Sequence, residues 1–321
     1  MKIRFYNARI MAMQDGVSIQ KGELWTKDDR ILYVGSDKDP EEESFDREID
    51  CENNLLMPGF KNAHTHSAMT FLRSFADDLP LQEWLYNRVF PMEAKLTKED
   101  QVELAKLGMM EYLTSGITAN FDMYLDNTCH AKASTELGFR TVLCGSMNDF
   151  GGTVPETEEE YYRLNDYSPL VSYKLGFHAE YTTKRALMEE LAQLAGKMKE
   201  PVYLHLAETE GEVENSVKQF GATPVRYLYK LGVLSPRLLI SHGIYVDADE
   251  IRMLADHGVK VAHNPASNMK LASGMHFKFK EMREAGITVG LGTDGCSSSN
   301  NRSCFPKYLL HARSPCPHRY R

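Results

Sequence analysis

The stretch LLMPGFKNAHTH, residues 55–66, marks a change in the pattern of the sequence. Before it, short β-type runs are separated by Asp, Gly and acidic turn segments such as SDKDPEEES, a pattern typical of a small β-sheet. After it, short apolar runs alternate with longer amphipathic stretches. This alternation favours repeated βα units and a parallel sheet. We therefore expect an N-terminal β-sheet subdomain, residues 1–55, followed by an α/β domain.

The apolar runs that begin with this stretch number eight. They are LLMPGFKNAHTH, ITANFDMY, RTVLCGSM, YKLGFHAEY, VYLHLAET, LLISHGIY, KVAHNPAS and ITVGLGTDG. Eight parallel strands close a TIM barrel. Helices are predicted between them, one after the candidate N-cap Thr97 and one at 247–258, where Asp247 and Glu250 have the spacing of a capping box. The sequence thus predicts a (β/α)8 TIM-type barrel over residues 56–301.

Residues 302–321, RSCFPKYLLHARSPCPHRYR, depart from this scheme. The segment has no acidic residue, three prolines and two cysteines, and it lacks sustained helical periodicity. The eighth helix of a barrel is expected at this position. We treat the segment as an atypical tail in place of the last helix, and composition favours a shifted reading frame or a non-native segment over an unusual native end.

Composition excludes several classes of protein. The formal net charge of −8 argues against a nucleic-acid partner, because such binding needs many Lys and Arg contacts. The sequence contains no apolar stretch long enough to cross a bilayer and no N-terminal signal-type segment. The six cysteines are scattered without a CxxC pair. We expect a cytoplasmic protein with reduced thiols and no membrane partner.

Polar residues concentrate at one end of the predicted strands. Each lies toward the carboxyl end of an apolar run: His64, His66, His178, His205, His242, His263 and Asp294. In a barrel this end carries the chemistry.

Four of these residues form a predicted metal site. His64 and His66 are two residues apart on a strand, so both imidazoles point to the same side. HxH alone is weak evidence, because so short a motif is often structural or incidental. His205 and Asp294, at two further strand ends, supply a third nitrogen and a carboxylate, which leaves an open position for water, as catalytic zinc requires. Alternatively, Asp294 only caps a turn and His205 fills a position in the hydrophobic core.

Two further residues are candidates for catalysis. Glu208 lies three residues after His205, where its carboxylate could take a proton from the attacking water and return it to a leaving amine. The alternative is a solvated glutamate in a loop. His242 could orient the attacking hydroxide without itself binding the metal. Its alternatives are a further metal ligand or a buried structural histidine.

Five motifs in order then carry a family resemblance. They are PGFKNAHTHSAMTFLRSFADDLPLQEWL, HLAETEGE, SHGIY, AHNPASNMKL and LGTDGCSSSNN. Together they resemble the amidohydrolase superfamily, and within it the S-adenosylhomocysteine/5′-methylthioadenosine deaminases and related chlorohydrolases. The resemblance covers nearly all of residues 1–301. It is far more specific than any one motif.

The resemblance implies a role for each matched residue. It gives His64, His66, His205 and Asp294 as metal ligands, Glu208 as the proton shuttle and His242 as the residue that orients the hydroxide. It also places four residues around the nucleoside: Trp84, Glu93, His178 and Asn268. Alternatively, Trp84 packs on a helix face and Glu93 is a solvated charge. No lysine ends the fourth strand to bridge two metals, so the resemblance implies one zinc ion per subunit, or Fe²⁺ in its place.

The sequence departs from the resemblance at two points. Those deaminases of the family that accept S-adenosylhomocysteine carry arginines just after the third strand, whereas the corresponding segment CGSMNDFGGTVPE has none. The sequence therefore gives less support to a substrate that bears a carboxylate. Family members also continue past the eighth strand with segments that complete the N-terminal sheet. The fold expected here therefore has that sheet as an incomplete β-sandwich.

The predicted activity is zinc-dependent hydrolytic deamination of an adenosine-type nucleoside, with release of ammonia. Adenosine, 5′-deoxyadenosine, methylthioadenosine and S-adenosylhomocysteine are the candidate substrates. Two alternatives stay open: a chlorohydrolase or deaminase of another heteroaromatic ring, such as guanine or a triazine, and an inactive truncated metal-binding fragment. The expected partner is a small nucleoside or heteroaromatic amine, and the sequence leaves a homo-oligomer open.

Overall fold

The computed structural model describes residues 1–14, 16–38, 43–77, 79–274 and 276–300. The chain forms two compact units, Met1–Gly59 and Phe60–Arg321. The predicted atypical tail, residues 302–321, lies outside the described residues.

The first unit is a five-stranded sheet. Its strands are β1 (Lys2–Ile10), β2 (Gln20–Lys27), β3 (Arg30–Gly35), β4 (Arg47–Asp50) and β5 (Leu55–Leu56). β1 pairs antiparallel with β2 and parallel with β4 and β5, and β3 lies on the far side of β2. The side chains of Ala8, Ile10 and Trp25 are buried in this unit. The predicted N-terminal sheet is therefore present.

The second unit contains a parallel sheet of nine strand segments. They are β6 (Phe60–His66), β7 (Ile117–Met123), β8 (Arg140–Cys144), β9 (Val171–Ala179), β10 (Val202–Leu206), β11 (Leu239–His242), β12 (Lys260–His263), β13 (Val289–Leu291) and β14 (Asp294–Gly295). Their order in the sheet is β13-β12-β11-β10-β9-β8-β7-β6-β14.

The two ends of this order belong to one stretch of chain. β13 and β14 are separated by two residues, whose amides bond to both neighbours: Gly292 N–H donates to His263 O and Thr293 N–H to His64 O. The predicted run ITVGLGTDG is thus broken into two pieces, the first paired with β12 and the second with β6. The fold of this unit is a TIM-like α/β barrel.

Helices occupy the connections between the strands. They are α1 (Leu81–Trp84), α2 (Phe90–Glu93), α3 (Lys98–Thr114), α4 (Asn127–Leu137), α5 (Val154–Asn165), α6 (Arg185–Met198), α7 (Glu210–Phe220), α8 (Pro224–Lys230), α9 (Ala248–Asp256), α10 (Pro265–Lys270), α11 (Phe279–Glu284) and α12 (Cys296–Ser299). Short 3₁₀ segments lie at Ser67–Leu72 and Glu180–Thr182, and a π-helical turn lies at Leu85–Val89.

The predicted helix starts are confirmed by the hydrogen bonds at the N-caps. Thr97 caps α3 through a capping box with Asp100, and Asp247 caps α9 through a capping box with Glu250. Each box pairs backbone N–H groups that have no partner inside the helix. None of the described helices is long and apolar enough to cross a membrane.

Close packing of α3 against the Ser67–Leu72 segment depends on one glycine. A Cβ added at Gly108 would lie 2.5 Å from the carbonyl oxygen of Ser67. The segment directly follows the two histidines of β6, so this contact supports the strand end that carries them. By contrast, a Cβ added at the helical Gly196 of α6 would have no neighbour within 4 Å.

Alanine at these two helical glycines should change stability in opposite directions. Gly196→Ala is expected to raise the free energy of unfolding by about 0.5–1 kcal/mol, because alanine has the better helix propensity and meets no neighbour. Gly108→Ala should lower it by about 1–3 kcal/mol through overpacking against Ser67. Denaturant unfolding of both variants measures the difference, and equal shifts of the same sign would contradict the packing argument.

Candidate metal centre and active site

Five side chains from four strands meet at the carboxyl ends of β6, β10, β11 and β14. They are His64, His66, His205, His242 and Asp294, and all are buried. One ligand atom each from His64, His205, His242 and Asp294 lies within 4.8 Å of the others. His66 is equally close, since its Nε2 lies 3.1 Å from Asp294 Oδ1 and 3.3 Å from His205 Nε2. Strand ends far apart in the sequence thus form one cluster of nitrogen and carboxylate donors.

The tautomers of His66 and His205 follow from their outer hydrogen bonds. His66 Nδ1 lies 2.6 Å from the carbonyl oxygen of Met123, and His205 Nδ1 lies 2.6 Å from that of His178. A carbonyl only accepts, so both Nδ1 atoms donate, and both Nε2 atoms carry lone pairs when the rings are neutral. These two lone pairs face each other across 3.3 Å. A cation between them would resolve this contact, as in metal sites whose histidines are oriented by carbonyl partners.

His64 is held in the same manner by a side chain. Its Nδ1 lies 2.6 Å from the hydroxyl of Tyr203, and its Nε2 lies 3.2 Å from Asp294 Oδ1. Burial lowers the pKa of His64 to about 4, which keeps the ring neutral at ordinary pH. A neutral imidazole is the form that binds a metal ion.

The carboxylate of Asp294 gives the cluster its negative charge. Burial alone would raise its pKa, but the rings of His64 and His66 outweigh burial and hold the pKa well below its usual range. At His66, burial opposes the charged ring, yet Asp294 and the Met123 carbonyl raise the pKa above its ordinary value. The cluster therefore favours a positive charge among these atoms. The donor set fits a single cation such as zinc, which takes nitrogen and carboxylate ligands.

His242 differs from the other three histidines in its contacts. Its Nδ1 donates to the amide oxygen of Asn268 at 2.8 Å and lies 3.7 Å from Glu208 Oε1. Its Nε2 lies 3.4 Å from the amide nitrogen of Asn264. His242 is thus the member of the cluster that also contacts the candidate proton shuttle.

Glu208 is buried beside this cluster. The loop after β10 carries it, and its Oε2 lies 3.5 Å from the hydroxyl of Tyr181. Burial, followed by the charge of Asp294, raises the pKa of Glu208 to about 8. The alternative of a solvated loop glutamate is therefore wrong. A carboxyl whose pKa lies near neutral pH can both accept and return a proton.

A cavity opens at this end of the barrel. Besides His66, His205, His242, Glu208 and Asp294, its walls include three residues that the sequence predicted near a substrate: Trp84, Glu93 and His178. The fourth, Asn268, lies behind His242 as its hydrogen-bond acceptor. The structure thus brings three of the four to the cavity wall.

Two cavity residues have unused hydrogen-bonding capacity. Glu93 is 5% exposed and Trp84 is 4% exposed. In the described part of the chain, Trp84 Nε1 and Glu93 Oε1 make no hydrogen bond of their own, although Tyr124 lies within reach of the Glu93 carboxyl. Burial raises the pKa of Glu93 to about 7, so Glu93 is not a solvated charge. Buried polar atoms normally have partners, and atoms left without one in a cavity wall are suited to bind a polar ligand.

Two residues that support the site, Tyr203 and Asn264, were not predicted from the sequence. Tyr203 precedes His205 by two positions on β10, and the two-residue period of a strand could have placed both on one face. Asn264 contacts His242 and also donates to Ser241 at 2.7 Å. No sequence pattern indicated that contact, because it joins the ends of two different strands.

The amidohydrolase family model matches residues 55–314. A 5-methylthioadenosine/S-adenosylhomocysteine deaminase of Syntrophomonas wolfei is 43% identical over 308 residues, which is 94% of this chain and 71% of that protein. A 5′-deoxyadenosine deaminase of Methanopyrus kandleri is 39% identical over 288 residues, covering 87% of this chain and 67% of that protein.

A solved structure is similar over almost the whole chain. It is an adenosine deaminase from Xanthomonas campestris with bound zinc. The two structures superpose with a TM-score of 0.90 and 30% sequence identity, and the alignment covers 97% of this chain and 73% of the other. A TIM-like barrel with imidazoles and a carboxylate at its strand ends defines a class of metal-dependent barrel enzymes. The chain belongs to the amidohydrolase family, as the sequence motifs predicted.

Tyr203→Phe should weaken metal binding without unfolding the protein. The variant removes the hydroxyl that orients His64, and loss of such a partner typically costs about 10–100-fold in metal affinity. Competition with a chelator measures the zinc Kd. Tyr227→Phe is the matched control, because this buried tyrosine of α8 has a hydroxyl without a hydrogen-bond partner among the described residues. Equal zinc Kd values for wild type and Tyr203→Phe would contradict the orienting role.

Proposed function

We propose that this hydrolase is a zinc-dependent aminohydrolase that removes ammonia from an adenosine-type nucleoside. The observation that carries the proposal is the buried Glu208 beside the His64, His66, His205 and Asp294 cluster, at the wall of one cavity. The similar proteins named above support the substrate class, since their names describe adenosine-type deaminases.

The proposed metal ligands are His64, His66, His205 and Asp294, and His242 is assigned to catalysis. The contacts of His66 support this division, because its Nδ1 has a carbonyl partner and its Nε2 lies against both Asp294 and His205. His242 instead shares its surroundings with Glu208 and Asn268. When bound, zinc supplies the lowered pKa of water and an electrophilic charge.

Glu208 carries the proton in the proposed reaction. Its carboxylate takes a proton from water as the oxygen bonds to the amine-bearing carbon of the ring. The same carboxyl then returns the proton to the amino group, which leaves as ammonia as the C–N bond breaks. His242 orients the attacking oxygen by accepting a hydrogen bond from it at Nε2, because the Nδ1 proton is held by Asn268. Burial favours this cycle, because it raises the pKa of Glu208 to about 8.

The cavity wall supports a preference among nucleosides. Trp84 offers an aromatic surface, and Glu93 offers an acceptor for a sugar hydroxyl. Among the described residues that line the cavity there is neither lysine nor arginine. A carboxylate on the 5′ substituent would therefore be desolvated without a cationic partner. We propose 5′-deoxyadenosine and methylthioadenosine as better substrates than S-adenosylhomocysteine.

The proposed architecture of the whole is a (β/α)8 barrel over residues 56–301, preceded by the sheet of residues 1–55. The interrupted last strand supports this interpretation, because β13 and β14 together occupy the eighth position. In such a barrel the active site lies at the carboxyl ends of the strands, where the cluster lies.

Ammonia release from zinc-replete protein tests the function. Adenosine, 5′-deoxyadenosine, methylthioadenosine and S-adenosylhomocysteine would be compared with guanine and a chlorotriazine, with chloride release also followed for the triazine. We expect turnover of the nucleosides, with kcat/KM lowest for S-adenosylhomocysteine. Turnover of guanine or the triazine alone would overturn the nucleoside assignment, and no turnover at all would favour an inactive metal-binding fragment.

Glu208→Gln separates proton transfer from metal binding. The variant should retain one zinc per chain and lose kcat by a factor on the order of 10²–10⁴, because the amide cannot carry the proton. Glu214→Gln, on an exposed position of α7, is the matched control and should keep its turnover. A Glu208→Gln enzyme with wild-type kcat would remove Glu208 from the mechanism.

A further inference from the structure

The backbone that presents Glu208 has an unusual conformation one residue earlier. Ala207 follows β10 with a φ of 51°, in the left-handed region that residues with a Cβ rarely adopt. The residue is fully buried, and its carbonyl accepts from the amides of Ile244 and Tyr245, both at 3.0 Å. Such a conformation persists only when the surroundings hold it, and it is most often found at functional sites.

A second buried glutamate holds this residue from the other side. Glu212 is 2% exposed, and its Oε1 accepts from the Ala207 amide at 2.7 Å. Its Oε2 accepts from the Glu208 amide at 2.8 Å. Burial raises the pKa of Glu212 to about 8, and the two amides act in the opposite direction. The ionised carboxylate is therefore the form that these N–H groups stabilise.

Ordinary helix capping does not account for this arrangement. Glu212 is the third residue of α7, where a glutamate in a capping box accepts from the backbone of the N-cap residue. Glu250 does this in α9, where it accepts from the Asp247 amide at 2.8 Å. Glu212 contacts the amide of its N-cap, Thr209, but also reaches beyond it and accepts from the two preceding amides. The same helix position thus serves a different purpose after β10.

We propose that Glu212 is a positioning residue that clamps the left-handed turn at Ala207 and so directs Glu208 into the active site. The clamp fixes the peptide between Ala207 and Glu208. With that peptide fixed, the Glu208 carboxylate lies 3.7 Å from His242 Nδ1 and 3.5 Å from the hydroxyl of Tyr181. Without the clamp, Ala207 relaxes to a negative φ, and the shuttle moves from its working position. This inference rests on the proposed role of Glu208.

The test compares Glu212→Gln with Glu250→Gln in the zinc-loaded chain. The glutamine side chain keeps an oxygen that can accept from one of the two backbone N–H groups. Its NH2 group, which only donates, faces the other N–H. We expect Glu212→Gln to lower kcat for methylthioadenosine by a factor on the order of 100, as small misplacements of catalytic groups do. Its KM should stay within about threefold of wild type, because substrate contacts are unchanged. Glu250→Gln should lower only the thermal midpoint.

Two further measurements address the turn itself. Hydrogen exchange of the Ala207 and Glu208 amides should be faster in Glu212→Gln than in wild type, with one zinc per chain in both. Adding Ala207→Gly to Glu212→Gln should recover at least about tenfold in kcat, because glycine adopts the left-handed region without a Cβ penalty. A merely structural role for Glu212 would not produce this recovery.

The proposal is overturned if the kcat values of Glu212→Gln and Glu250→Gln fall equally for equal losses of thermal midpoint. Unchanged exchange of the two amides in Glu212→Gln overturns it as well. A wild-type chain that releases no ammonia from any nucleoside contradicts the proposed function instead. The exchange comparison needs no turnover, so it decides the clamp separately.

Discussion

Three imidazoles and one carboxylate impose the central constraint on this molecule: Asp294 Oδ1 lies 3.2 Å from His64 Nε2 and 3.1 Å from His66 Nε2, which in turn lies 3.3 Å from His205 Nε2. Two of the rings donate from Nδ1 to backbone carbonyls and turn their Nε2 lone pairs toward each other. Such a contact is unfavourable unless a positive charge lies between the nitrogens. The pKa of His66 is raised by the neighbouring Asp294, which likewise shows that a positive charge is favoured here.

The barrel provides this arrangement because parallel strands bring their carboxyl ends to one edge. β6 supplies two histidines, β10 supplies the third and β14 supplies the aspartate. The backbone adopts the left-handed conformation at three strand ends of the site, since Ala207, His242 and Asp294 all have positive φ. Strain of this kind persists where surrounding bonds hold it. At Ala207 those bonds come from Glu212 on one side and from the amides of Ile244 and Tyr245 on the other.

Much of this could be predicted from the sequence, and the reason is periodicity. The two-residue period of a strand puts His64 and His66 on one side, and the alternation of apolar runs with amphipathic stretches gives the TIM-like barrel. The broken last strand was not predicted, because the glycines of ITVGLGTDG do not show where the run divides, and its two pieces pair with β12 and β6, which are distant in the sequence. The same is true of the positive φ at Ala207 and of the bond from His242 to Asn268. These features depend on contacts between segments far apart in the chain, which no local pattern encodes.

The proposed chemistry depends on which atoms hold the metal. Anomalous diffraction at the zinc edge from crystals of zinc-loaded protein locates the ion and its ligands. We expect one zinc, bonded at about 2.0–2.2 Å to Nε2 of His64, His66 and His205 and to a carboxylate oxygen of Asp294. An ion bonded to His242 in place of His66, or zinc found only outside this cluster, would contradict this expectation.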